Sequence, residues 1–218
     1  MLIAPNNVEV ASRLMDLGLF RVLQEEGVSV QQAPNIELTT TPLLPITKFG
    51  STTEAEDLTN RIHYSLIESR QRSATIFHVI YETFSEMANN AAEHSMSKIE
   101  AYGLVLLDTL EEENRLVCGV ADGGIGIQTS LLRNPLHEEY GHYEWSAMER
   151  ATEELVSGTL DSYRGIGLYE TVEKMRIPGR ELIIHSGTGI ISKGEKLTTR
   201  ITSTRLFPGT MVYISIPA

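Results

Sequence analysis

Apolar residues recur along the chain with two periods, and between them these mark out most of its elements. From Thr53 the positions Ala55, Leu58, Ile62, Leu66 and Ile67 follow a spacing near 3.6, which predicts a helix with Ser51 or Thr52 as its cap. A longer helix is predicted over about 73–94, where Ile76, Ile80, Phe84, Met87 and Ala91 form one stripe for a core. Apolar runs at 99–107 and 115–121 predict two strands, joined by the turn material Glu111-Glu112-Glu113-Asn114. A further helix is predicted from Gly165 to a stop at Pro178-Gly179, followed by strands at 181–185, 198–204 and 211–216.

Three segments fit this pattern less well. Residues 7–26 carry Val8, Leu14, Leu17, Leu19, Phe20 and Leu23 at mixed helical spacings, which predicts one or two short helices with Leu17, Leu19 and Phe20 in a core. Residues 31–48, rich in Thr and Pro, read as a connector with a candidate strand at Ile36-Glu37-Leu38. Residues 128–163 form a long polar segment with Pro135, Gly141 and Gly158 and a helix predicted over 145–156; segments of this kind tend to be lids or disordered.

At 218 residues the chain holds one sizeable core with an appendage. Its net charge of -11 argues against a nucleic-acid partner, which calls for a basic patch. No apolar run is long enough to cross a bilayer, and Met1-Leu2-Ile3-Ala4-Pro5 lacks a charged leader, so no membrane span and no secretory signal are expected. The single cysteine, Cys118, lies within a predicted strand and reads as a small buried hydrophobe, which fits a reducing cytoplasm.

Three stretches carry candidate chemistry. Val120-Ala121-Asp122-Gly123-Gly124-Ile125-Gly126-Ile127 delivers one carboxylate from the end of a strand into a glycine turn. Asp122 there can accept a hydrogen bond from an exocyclic amine such as that of adenine, with the turn passing beside a polyphosphate, although Asp-Gly-Gly is also ordinary turn chemistry. Glu86 and Asn90, four residues apart, lie about 40° apart around the helix axis, away from the apolar stripe. Their oxygens suit Mg²⁺, with Glu86 as a general base, while the plain reading is a solvated helix face. Tyr163-Arg164-Gly165-Ile166-Gly167-Leu168 opens a helix, where free N–H groups favour a phosphate and Arg164 adds charge; the plain reading is a hinge with a surface arginine. It is neither a Walker loop nor a dinucleotide fingerprint.

The order of these pieces resembles the GHKL superfamily, which groups the ATP-binding domains of gyrase, heat-shock chaperones, histidine kinases and MutL. Glu86-Met87-Ala88-Asn89-Asn90-Ala91 with His94 is similar to the family's N box, and Asp122 to Ile127 to its first glycine box. Gly165 to Leu168 is similar to the second, and Pro208-Gly209-Thr210 to the final Gly-Thr element. The resemblance runs from about residue 72 to the C-terminus. It implies an α/β fold, a two-layer α/β sandwich of the Bergerat (histidine kinase-like ATPase) type, occupying 71–218, with an extra N-terminal helical segment at 1–70. It further implies that Asp122 binds the adenine amine with Thr210 in support, and that Asn90 holds Mg²⁺. Gly124, Gly126, Gly165 and Gly167 would line the phosphates and lid hinges, with Ile127 and Leu168 in the same boxes, and Glu86 would be the catalytic base.

Within the family, Glu86 through Asn90 to His94 is most similar to the anti-sigma-factor serine kinases. A phosphoacceptor helix pair of the histidine kinase type is not expected, since His63 lacks the acidic residue that normally follows the acceptor. No transducer segment follows Ile216, so dimer closure of the gyrase and MutL kind is not expected either, and the lid is longer than in the compact kinases. His137, Glu138, Glu139, His142 and Glu144 imitate a metal cluster but read as lid surface. Residues 1–70 read as a docking module, as an oligomerisation arm that would make a homodimer, or as extra helices on the sheet. The expectation is an ATP- and Mg²⁺-binding protein acting on a protein partner or substrate, by phosphoryl transfer or hydrolysis, or else as an ATP-controlled binding switch.

Overall fold

A computed structural model describes residues 2–31, 42–68, 74–97, 99–109, 113–159, 165–194 and 198–218. In chain order the elements are β1 (Leu2–Ile3), α1 (Val8–Asp16), α2 (Leu19–Glu25), β2 (Val30–Gln31), β3 (Leu44–Phe49), α3 (Thr52–Glu68) and α4 (Ala74–His94). They continue as β4 (Ala101–Asp108), β5 (Arg115–Ala121), α5 (Gly126–Leu131), a 3-10 helix (Pro135–Gly141), α6 (Glu144–Ala151), α7 (Gly167–Lys174), β6 (Glu181–Lys193) and β7 (Thr198–Pro217). The candidate strand at 36–38 lies outside the described residues.

Local chemistry sets several of these boundaries. Asn7 caps α1 by accepting the Val10 N–H at 3.1 Å. Ser51 and Glu54 form a reciprocal cap on α3, Ser51 Oγ accepting from Glu54 N and the Glu54 carboxylate accepting from Gly50 N at 2.7 Å. The Gly50 N–H, and after it the Ser51 hydroxyl donating to the carboxylate, hold the Glu54 carboxyl below its ordinary pKa.

Five strands build one antiparallel sheet in the order β3-β4-β5-β7-β6. Strand alternation turns Val105, Cys118, Ile214 and Leu182 to one face, where α3, α4 and α7 meet them through Ile62, Leu66, Ile80, Phe84 and Val172 in a continuous core. The chain is thus a two-layer α/β sandwich. Leu44 and Phe49 from β3 and the inner face of α3 belong to this core, so the sheet and its packing extend across residue 70. Helices α1 and α2 sit on the opposite face at its β3–β4 edge: Arg13 pairs with Asp108 at 2.5 Å, and Tyr102 Oη donates to Glu26 at 3.1 Å. Phe20 is buried there, while Leu17 and Leu19 are half-buried. No described helix is long and apolar enough to cross a membrane.

Three expectations change. The stretch read as connector over 31–48 contains most of β3, Leu44–Phe49. The strands expected at 198–204 and 211–216 are one strand, β7, and its partner β6 runs past His185 to Lys193, with register shifts around Gly187. Gly187 and Gly189 sit at these shifts, a bulge in a continuing hairpin. The helix expected over 145–156 ends at Ala151, where the Thr152 hydroxyl folds back onto the Glu149 carbonyl at 2.7 Å.

The α4–sheet contact is tight at Gly103, where a Cβ would lie 2.8 Å from the ring tip of fully buried Phe84. Gly103→Ala is expected to destabilise the fold by about 1–3 kcal/mol through overpacking and Phe84→Ala by about 3–5 kcal/mol through a cavity, both read from urea unfolding midpoints.

Candidate functional site

The turn after β5 is clamped from two sides. At its start, the Asp122 N–H donates to the Thr210 carbonyl at 2.9 Å, and Asp122 Oδ1 accepts the Gly124 N–H at 2.8 Å. Gly209, in the left-handed region at φ +99°, lies against the Asp122 carbonyl, which a Cβ at that position would strike. On the other side the Ile125 N–H donates to the Ser95 carbonyl at 2.8 Å just beyond α4, and Gly124 passes so close to Ser95 that no side chain fits. Burial pushes the Asp122 carboxyl above its ordinary pKa, against the opposing pull of backbone hydrogen bonds from Gly124 and Thr210.

Ser186 ties the same turn to the β6–β7 hairpin. Its buried hydroxyl accepts the Ile127 N–H at 2.9 Å, donates to the Gly209 carbonyl at 3.0 Å and lies 3.3 Å from Thr210 Oγ1. Nothing in the sequence marks Ser186, since one serine in an apolar strand carries no spacing signal.

On α4, Asn90 Nδ2 donates to Glu86 Oε1 at 2.8 Å, so the two residues four apart do meet. The Glu86 carboxylate rests against Gly167, the first residue of α7, where a Cβ would collide with it. Gly165, at φ +92°, likewise makes room for the Val156 carbonyl. These two glycines are therefore required by packing alone, whatever else they contact.

Between α4, the glycine turn, β7 and the segment leading into α7 lies a cavity of about 480 Å³, within the usual range for small-molecule sites. It is lined by Glu86 and Asn90, by Asp122, Gly126 and Ile127, by Gly165, Gly167 and Leu168, and by Thr210. Gly124 is not among the lining residues, and Arg164 lies outside the described residues. Val120, Leu131 and Val212 add apolar wall. Arg133, which no motif flags, lines it too.

One wall is the segment expected as a lid, and it is built rather than loose. Buried Asn134 donates to the Ser157 and Thr159 carbonyls, both at 3.2 Å, closing a loop around the small cluster Leu131, Ala147 and Val156. The Glu144 carboxylate accepts from both the backbone N–H and the hydroxyl of Thr188 in the β6 bulge, and Arg200 Nε reaches Glu149 at 2.6 Å. These contacts disperse the histidine and glutamate run: His137 is buried beside Tyr140, its pKa lowered mainly by burial, and Glu144 is taken by Thr188. Among the described residues no three His, Cys, Asp or Glu gather as a metal site. His63 is exposed on α3 between the Tyr64 and Tyr81 rings, and Cys118 is fully buried, which raises its thiol pKa.

Two outcomes are expected. Because the folded state raises the Asp122 pKa, the site favours the neutral acid, and the stability this gives is lost as pH rises through the folded value. Asp122→Asn should therefore melt above wild type at pH 7, with the gap closing as pH falls toward 3.8, as followed by thermal denaturation. Glu144→Ala should free the lid from β6, read as faster amide exchange over Glu144–Ala151 with β4 and β5 unchanged.

No family model and no curated protein matches the chain. Among solved structures it is similar to the histidine kinase domain of the blue-light activated histidine kinase EL346 from Erythrobacter litoralis, at 19% identity, over 95% of this chain and 74% of that one. The TM-score is 0.32, a loose superposition.

Proposed function

We propose that this chain is a Mg²⁺-ATP-binding protein of the GHKL type that transfers the γ-phosphoryl group to a partner protein or hydrolyses it. The observation that carries this reading is convergence: residues of all four sequence boxes, far apart along the chain, line one cavity of nucleotide size. Asp122 accepts the adenine amine, held in orientation by Gly124 and Thr210, while Val120, Leu131 and Val212 offer apolar surface to the base. Asn90 and Glu86 present oxygen donors of the kind Mg²⁺ takes, few in number and on one helix face. When bound, the ion would offset phosphate charge. Glu86 takes the proton from the attacking hydroxyl or water as its oxygen bonds to the γ-phosphorus and ADP departs.

The competing reading is a nucleotide-controlled binding surface, and the packed lid favours keeping it in view. Incubation with Mg²⁺ and γ-labelled ATP, with and without host lysate, separates the two. Transfer predicts label on a second protein and hydrolysis predicts free phosphate, each falling about 10²–10⁴-fold in Glu86→Gln with ATP binding retained. A switch predicts ATP binding with label left on ATP. Asp122→Asn should weaken ATP by about ten- to a hundredfold, one charge-assisted hydrogen bond; wild-type affinity in that variant would overturn the site assignment.

A further inference from the structure

We propose that Arg133 is the side chain that takes the phosphate tail of the bound nucleotide, an inference that rests on the ATP reading above. Three carboxylates line the cavity, Glu86, Glu93 and Asp122, against a single arginine or lysine among the described lining residues, Arg133. A polyphosphate entering such a site is drawn to opposite charge, so Arg133, the one arginine or lysine among the described lining residues, marks where the anionic end lies.

The contacts of Arg133 differ from those of other arginines in the chain. Arg13 pairs with Asp108, Arg150 with Glu153, Arg176 with Glu173 and Arg200 with Glu149. Arg133 instead points Nη1 at the thioether of Met96, 3.3 Å away, and a thioether sulfur is a weak acceptor. Four further guanidinium donors are left over, in a fork that matches two phosphate oxygens. Exchanging sulfur for phosphate therefore breaks no ion pair.

The backbone beneath this side chain is fixed. Arg133 follows α5, its N–H turned to the Ser130 carbonyl, and the next residue is the buried Asn134 that closes the lid onto Ser157 and Thr159. An exposed cation on an anchored turn loses only its own rotamer freedom when it engages a ligand, and it joins the phosphates to the lid.

The test is to titrate full-length wild type, Arg133→Gln, Arg133→Lys and Met96→Leu with ATP and with adenosine in the presence of Mg²⁺. Arg133→Gln should bind ATP about ten- to a hundredfold more weakly and adenosine within twofold of wild type, Arg133→Lys should recover part of the loss, and Met96→Leu should bind ATP at least as well as wild type. Equal ATP affinity in wild type and Arg133→Gln, or an equal loss of ATP and adenosine, would overturn the assignment while leaving the nucleotide site standing. Wild type binding neither adenosine nor ATP would remove both.

Discussion

Everything near the cavity depends on backbone meeting backbone at the turn after β5. Gly209 on β7 lies against the Asp122 carbonyl, and Gly124 lies against Ser95 at the end of α4, with no side chain between either pair. A Cβ at either glycine would push β7 or the end of α4 away from β5. Ser186 then adds a hydroxyl between the same turn and β6. One small contact thus sets the relative positions of Asp122, Glu86 with Asn90, and Thr210, which belong to three separate elements. The arrangement leaves a carboxylate where burial disfavours its charge.

The fold was legible wherever its cause was local. The stripe from Ile76 to Ala91 writes α4 directly, the Ser51–Glu54 cap writes the start of α3, and the apolar run from Arg115 to Ala121 is β5. Long-range causes hid the rest. Leu44-Pro45-Ile46 looks like connector because proline breaks ladders, but β3 is an edge strand with a register shift between Leu44 and Thr47, where proline is tolerated. Gly187 and Gly189 look like a strand end; the first receives the Glu144 carboxylate and the second lets the Met148 side chain and Trp145 backbone of α6 approach. Neither purpose exists until α6 is docked.

The candidate site divides the same way. Asp122, Glu86 and Asn90 could be singled out because a carboxylate before glycines and an acid–amide pair at helical spacing carry meaning in themselves. Gly165 and Gly167 could be singled out too, but their positions answer to Val156 and Glu86 through packing. Ser186 and Arg133 carried no signal at all, since what distinguishes them is which atoms they face.

The lid shows how composition misleads about packing. Much of the polarity of residues 128–159 goes into pairing: Asn134 to two carbonyls, Glu144 to Thr188, Glu149 to Arg200, Arg150 to Glu153. The apolar cluster beneath is small, Leu131, Ala147 and Val156 with Tyr140 against them, and α6 sends only Met148 and Trp145 into the main core, which draws side chains from four helices and five strands. A segment held largely by hydrogen bonds and ion pairs, with only Met148 and Trp145 reaching the main core, is expected to open at lower free energy than the sheet it leans on. Opening would expose the cavity that the segment helps to form, because Ser130, Arg133, Ser157 and Thr159 are wall residues as well as lid residues. Any ligand gripping those residues must therefore bias the lid toward its docked position by whatever affinity it draws from them, a direct route by which occupancy of the cavity can be felt at the lid's outer surface.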